Sequence, residues 1–210
     1  MIRGSGSVFS AGYDIGNLEE SSFEESAERL VAHPFQDAIE ALEAYRFPVL
    51  GQLNGHAIGG GLELALTCDI RLAARGIKLG MPPAKLGLIY SHTGLRKFID
   101  VCGVANTAEL FYVGRNVDAD RAERMGLVNE VVEPAQLDER ALDLAAEIAA
   151  NAPLSLEGNK RVIRTLRAQP LPAEVERELI ELRESCFRSE DFREGVRAFA
   201  EKRKPRWQGR

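Results

Sequence analysis

The chain has 210 residues, 45% of them hydrophobic, and a net charge of −5 with acidic and basic residues interspersed. Such a chain can bury one sizeable core, and its mixed, mildly negative charge argues against nucleic acid as a general partner. No apolar run approaches the ~20 residues of a membrane-spanning helix and none reads as a secretory signal, so a cytoplasmic protein without a membrane partner is expected.

In chain order, residues 1–4 read as the end of a strand running into a loop at Ser5-Gly6-Ser7. A first short motif comes next, Phe9-Ser10-Ala11-Gly12-Tyr13-Asp14, and then an acidic, serine-rich surface segment at 18–28. Residues 33–46 place Phe35, Ala38, Ile39, Leu42 and Tyr45 at helical spacing, which predicts an amphipathic helix. Pro48-Val49-Leu50-Gly51-Gln52-Leu53 reads as a short buried strand. Further strands are expected at 69–74 and 126–132, and this alternation with helices implies a mainly parallel sheet of βαβ type. Arg115 with Asp118 marks a turn and a helix cap before residues 119–125. From residue 135 onward the strands stop. Four helices are expected, at 135–150, 153–168, 172–187 and 190–203, with breaks at Asn151-Ala152-Pro153 and Gln169-Pro170-Leu171-Pro172.

The most informative stretch is Asn54-Gly55-His56-Ala57-Ile58-Gly59-Gly60-Gly61-Leu62-Glu63, three glycines at a turn that opens directly into an apolar helix. Glycines let a backbone come close to a ligand, and the first amides of a helix have no partners within it. That helix start therefore presents N–H groups and a positive dipole end to developing negative charge. Gly60 and Glu63, three apart, share a helical face, which sets a possible acid or base beside a possible oxyanion donor. Taken alone, the glycine run fits a tight, closely packed turn equally well. The three cysteines, Cys68, Cys102 and Cys186, are odd in number and widely spaced. They fit reduced thiols better than a disulfide framework or a metal site, with Cys68 a small core residue. His56 and the Asp69/Arg71 pair read as structural, a loop hydrogen bond and a strand-end ion pair. His92, on a loop, fits either a neutral-pH acid–base group or a solvated side chain.

Together these motifs resemble the crotonase superfamily, the enoyl-CoA hydratase/isomerase family, and the likeness runs from Phe9 through Gly209. The resemblance implies an α/β fold, a spiral of ββα units over residues 1–134 carrying an acyl-CoA site. A helical C-terminal region over 135–210 would then serve for trimer formation and coenzyme A contacts. It also implies further residues before Met1, supplying the first strands; a misplaced start, a gene fragment or a real short variant would each explain their absence. The implied chemistry is stabilisation of a thioester enolate, with coenzyme A as part of the substrate, no separate cofactor and no metal. The partner is an acyl-CoA, in a homotrimer or a dimer of trimers.

Residue by residue, the resemblance assigns the oxyanion-hole N–H groups to Tyr13 and Gly60, with Ala11 beside the cofactor portion of the substrate. The Tyr13 side chain then fits packing or a catalytic role, and Asp14 fits loop anchoring. Glu63 matches the first catalytic glutamate of the hydratases. The slot of the second falls on Pro83, in Met81-Pro82-Pro83-Ala84-Lys85-Leu86-Gly87-Leu88, and proline cannot carry a proton. Tyr90 falls where the methylmalonyl-CoA decarboxylase branch carries a functional tyrosine. There it would either bond the reacting carboxylate or line the acyl pocket, whose shape residues 18–33 would help set. Phe199 and Lys202 match positions that touch the adenine and phosphates of coenzyme A. Malonyl-type decarboxylation is the expected reaction. A hydratase or isomerase working with one carboxylate, and an inactive fragment or interaction subunit, are the competing readings.

Overall fold

The computed structural model describes residues 1–13, 33–168 and 170–209. The acidic segment 18–28, Asp14, Gln169 and most of the expected pocket segment 18–33 lie outside the described residues.

Two four-stranded sheets form the core, and successive strands are dealt alternately to each. Strands β1 (Ile2–Arg3), β3 (Leu50–Leu53), β5 (Ile70–Ala74) and β8 (Glu130–Val132) make one sheet in that order, parallel throughout. Strands β2 (Val8–Ser10), β4 (His56–Ile58), β6 (Lys78–Gly80) and β7 (Val117–Asp118) make the other, antiparallel only at β6–β7. A helix comes after each pair of strands: α1 (His33–Ala44), α2 (Gly60–Thr67) and α3 (His92–Ala108). Each ββα unit thus adds one strand to each sheet and advances the chain by one turn of a spiral. Helix α4 (Ala119–Arg124) leads into β8, and four helices close the chain: α5 (Leu137–Ala149), α6 (Pro153–Arg167), α7 (Ala173–Phe187) and α8 (Glu190–Ala200). No helix among the described residues is long and apolar enough to cross a membrane.

The central strands are short because they are buried on both faces; every residue of β3 is buried, as in sheets covered on each side. Leu53, Leu62, Leu72 and Leu79 are fully enclosed between sheets and helices, each contributing about 1.5–3 kcal/mol of burial. Ser91 caps α3 by accepting the Gly94 N–H at 3.1 Å, and Asp118 caps α4 by accepting from Arg121 at 2.8 Å.

Several expectations are corrected. Residues 56–58 are a strand rather than part of the glycine turn, because the two sheets need a partner for β2 and β6. His56 makes its hydrogen bond from that strand, accepting the Lys78 N–H at Nδ1 (3.0 Å). Strands β6 and β7, of three and two residues, are too short to leave a periodic signal. The strand expected at 126–132 keeps only its last three residues, since Leu127 is hydrogen-bonded to the end of α4 instead. The final helix ends at Ala200; Lys202 sits at φ 53°, a left-handed conformation that stops it.

Asp69 and Arg71 do not pair with one another. Asp69 Oδ2 takes the Val49 N–H (2.7 Å) and the Lys160 ammonium (2.6 Å), and the Arg71 guanidinium is used up by the Leu127 and Cys68 carbonyls. Cys68 is buried at the end of α2, and burial pushes its thiol up to about 11. It is a core residue, and all three cysteines are free.

Candidate active site

The site forms where the loop after β2 meets the start of α2. Gly12, at φ 88°, occupies a backbone conformation that favours glycine. A Cβ there would fall 2.9 Å from both the Gly60 nitrogen and the Ile58 oxygen. Gly61 is held as closely, its Cβ position lying 2.2 Å from the Ser10 oxygen. These contacts bring residues 10–13 directly against the first amides of α2. Gly60 and Gly61 occupy the first turn, where N–H groups have no partner within the helix. Ala11 lies exposed at the rim of this loop.

Glu63 projects from the same first turn and is only 3% exposed. Its two carboxylate oxygens have separate partners. The Tyr90 hydroxyl donates to Oε2 at 2.5 Å, and the Lys97 ammonium donates to Oε1 at 3.3 Å. Lys97 also pairs with Glu43 Oε1 of α1 at 2.9 Å. Tyr90 is 8% exposed and stacks edge-on to Phe111, ring centroids 5.7 Å apart. Burial, then the Glu63 charge beside it, pushes the Tyr90 phenol well above its ordinary range. Its hydroxyl is also hydrogen-bonded to that of Tyr13. Burial and the same Glu63 charge raise Tyr13 to about 12, against a smaller opposing pull from that hydrogen bond and from Arg183 of α7. The Tyr13 ring packs over Gly60 and edge-on to Phe35, with centroids 4.8 Å apart.

Tyr90 can occupy this position because the start of α3 leaves room for its ring. An added Cβ on Gly94 would lie 2.5 Å from that ring, so the first turn of α3 must be bare there. Pro83 is buried at the start of a short helical turn, Pro83–Leu86. A cleft of about 550 Å³ opens between Ala84, Gly87, Ile89, Cys186 and Trp207, and none of Tyr13, Gly60, Glu63 and Tyr90 lines it.

The structure therefore brings Tyr13, Gly60, Glu63 and Tyr90 together in one cluster. Phe199 and Lys202 stand apart from it at the exposed end of α8, Phe199 being 63% exposed. Of the basic run beside them, Arg203 is clamped by Glu194 and Glu201. His92 is the first residue of α3 rather than a loop residue, and its Nε2 lies 3.4 Å from Glu176 of α7, turned to the C-terminal helices instead of to solvent. Lys97, Glu43 and Arg183 were missed by sequence reasoning. Lys97 is 34 residues from Glu63, and only the folded spiral pairs them.

The sequence profile of the enoyl-CoA hydratase/isomerase family matches residues 1–210. The chain belongs to that family. Short-chain-enoyl-CoA hydratase of Clostridium acetobutylicum is 33% identical over 208 residues, spanning 97% of this chain and 77% of that one. Among solved structures, a methylmalonyl-CoA decarboxylase in complex with 2-nitronate-propionyl-CoA superposes with a TM-score of 0.89 at 29% identity, covering 99% of this chain and 79% of the other. An enoyl-CoA hydratase from Bacillus anthracis superposes with a TM-score of 0.71 at 30% identity, covering 99% and 80%. This crotonase-family enzyme thus shares its fold with both reaction types.

Proposed function

We propose that this crotonase-family enzyme decarboxylates a malonyl-type acyl-CoA. The observation that carries the reading is the buried Tyr90–Glu63 hydrogen bond, together with the resemblance by which the slot of the second hydratase carboxylate falls on Pro83. Hydration in this family places and splits a water between two carboxylates, and the described residues around Glu63 offer a phenol and an ammonium instead. Decarboxylation needs no second carboxylate, and one facing the substrate's own carboxylate would repel it.

In this reading the bond between the α-carbon and the carboxylate breaks, carbon dioxide leaves, and the electron pair passes into the thioester as an enolate. The Tyr13 and Gly60 N–H groups take the enolate oxygen, and such fixed donors are worth about 3–4 kcal/mol each. The α-carbon then takes a proton from the hydrogen-bonded Tyr90–Glu63 pair, which water replenishes. Ala11, Phe199 and Lys202 would contact coenzyme A, the last two from a neighbouring subunit. Leu154, Val162, Ile163 and Leu166 leave apolar surface on α6 exposed, which suits a contact between subunits, and the family resemblance makes that assembly a trimer or a dimer of trimers. Sedimentation at three times the 23.1 kDa chain mass would support that assembly, and a monomer at micromolar concentration would refute it.

The alternative, a hydratase using Glu63 as its single carboxylate, is favoured by the 33% identity to the Clostridium acetobutylicum enzyme. Incubation with methylmalonyl-CoA and crotonyl-CoA together, with products resolved by mass, separates the two. Loss of carbon dioxide from the first is the expected outcome. Water gained by the second, with the first untouched, would assign the hydratase reaction.

A further inference from the structure

We propose that Lys97 is a positioning residue of this site, its ammonium holding one oxygen of Glu63 so that the other accepts the hydroxyl of Tyr90. The proposal rests on the reading above, in which Glu63 and Tyr90 handle the proton, and it adds the group that orients them.

A carboxylate this deeply buried demands both charge compensation and a full set of hydrogen bonds. Glu63 has two oxygens in need of donors, and the described structure provides one to each: Tyr90 on Oε2 and Lys97 on Oε1. Lys97 is itself largely buried, its side chain 13% exposed, and it is steered from the outer side by Glu43 at 2.9 Å. The line Glu43–Lys97–Glu63–Tyr90 therefore crosses α1, α3, α2 and the segment before α3. An ammonium suits the bridging place better than a guanidinium, because a compact point charge with three donors can serve two carboxylates from different helices.

With Lys97 present, both partners donate and Glu63 is fixed as the acceptor, so the hydrogen between Glu63 and Tyr90 stays on the phenol. Without it, Oε1 loses the donor described for it, and the Glu43 carboxylate loses the same cation. The carboxyl then either takes a proton, reversing the donor and acceptor of the Tyr90 bond, or rotates away from Tyr90. In either case the pair presents a different hydrogen to the substrate.

The test uses Lys97→Met and Lys97→Arg in the whole chain, labelled with 13C at the tyrosine ring carbon that bears the hydroxyl. There are four tyrosines, and Tyr90→Phe identifies the Tyr90 signal. The Tyr90 signal is expected to move in Lys97→Met toward its position in Glu63→Gln, and to stay near the wild-type position in Lys97→Arg. An unmoved signal in folded Lys97→Met would overturn the proposal. On whichever acyl-CoA the enzyme turns over, Lys97→Met should lower kcat at least about tenfold with KM unchanged. That is part of the ~10²–10⁴ which a positioned acid–base group supplies. A change in KM alone, with kcat intact, would also count against it. Should Lys97→Met fail to fold, Lys97→Gln replaces the ammonium with a shorter, neutral side chain that cannot compensate the Glu63 charge, and the same displacement of the Tyr90 signal is required. If no acyl-CoA is turned over while the signal moves as expected, the assigned reaction fails and the Lys97 placement stands.

Discussion

Glu63 and Tyr90 concentrate the chemistry at one hydrogen bond, and their environments make opposite demands on it. The phenol is pushed up by burial and by the carboxylate charge, which leaves the proton on Tyr90 at neutral pH. Replacing Glu63 with Gln is expected to lower turnover of the true substrate by about 10²–10⁴, measured as kcat on the product identified by mass. Tyr13 offers a test without substrate. Its phenol ionises at about 12 in the folded protein against 10.0 ordinarily. Between those values the unfolded chain releases a proton that the native state keeps, so stability falls as pH rises from about 10 to 12. Melting temperatures across that range should drop more steeply for the wild type than for Tyr13→Phe. Glu63 and Gly60 were legible as candidates because a glycine run and a helix start leave a local pattern, whereas Tyr13 and Tyr90 came from the family resemblance. Lys97 was not legible. A lysine on an amphipathic helix has no feature of its own, and only distant chain segments reveal what it faces.

At the scale of elements, the decisive contact is between Tyr90 and the first turn of α3. The Gly94 position tolerates no Cβ because the Tyr90 ring lies 2.5 Å from where it would stand. Gly94→Ala should improve helix propensity by about 1 kcal/mol in isolation and yet destabilise the protein, with activity falling as Tyr90 is driven from Glu63. A variant that melted higher and kept full turnover would contradict this packing. The long helices α1 and α5–α8 were readable from the sequence to within a few residues, and α3 was not, its first residue having been read as loop. Strands β2, β4, β6 and β7, of two or three residues, were not. Their existence depends on hydrogen-bonding partners in the neighbouring turn of the spiral, and β6 is defined by β4 and β7 rather than by anything within Lys78-Leu79-Gly80.

Across the whole molecule, the C-terminal helices are tied to the sheets by few but deep contacts. Lys160 of α6, only 6% exposed, bonds both Asp69 and the Phe47 carbonyl at the edge of the first sheet. Lys160→Met would remove the cation from Asp69, which keeps the Val49 N–H and access to water, and leave the Phe47 carbonyl without this donor, a loss of about 1–3 kcal/mol that denaturant titration would register. Among the described residues no buried side-chain polar atom lacks a partner. Residues of α7 and α8 also line the cleft at the Pro83–Leu86 turn, and there Trp207, the one tryptophan of the chain, shares the wall with Gly87 and Ile89. An indole at that wall is an optical probe placed by nature. Its emission, half open to water at rest, should change in wavelength and yield when a molecule enters that cleft and stay unchanged when binding is confined to the Glu63–Tyr90 cluster, so fluorescence tells the two places apart.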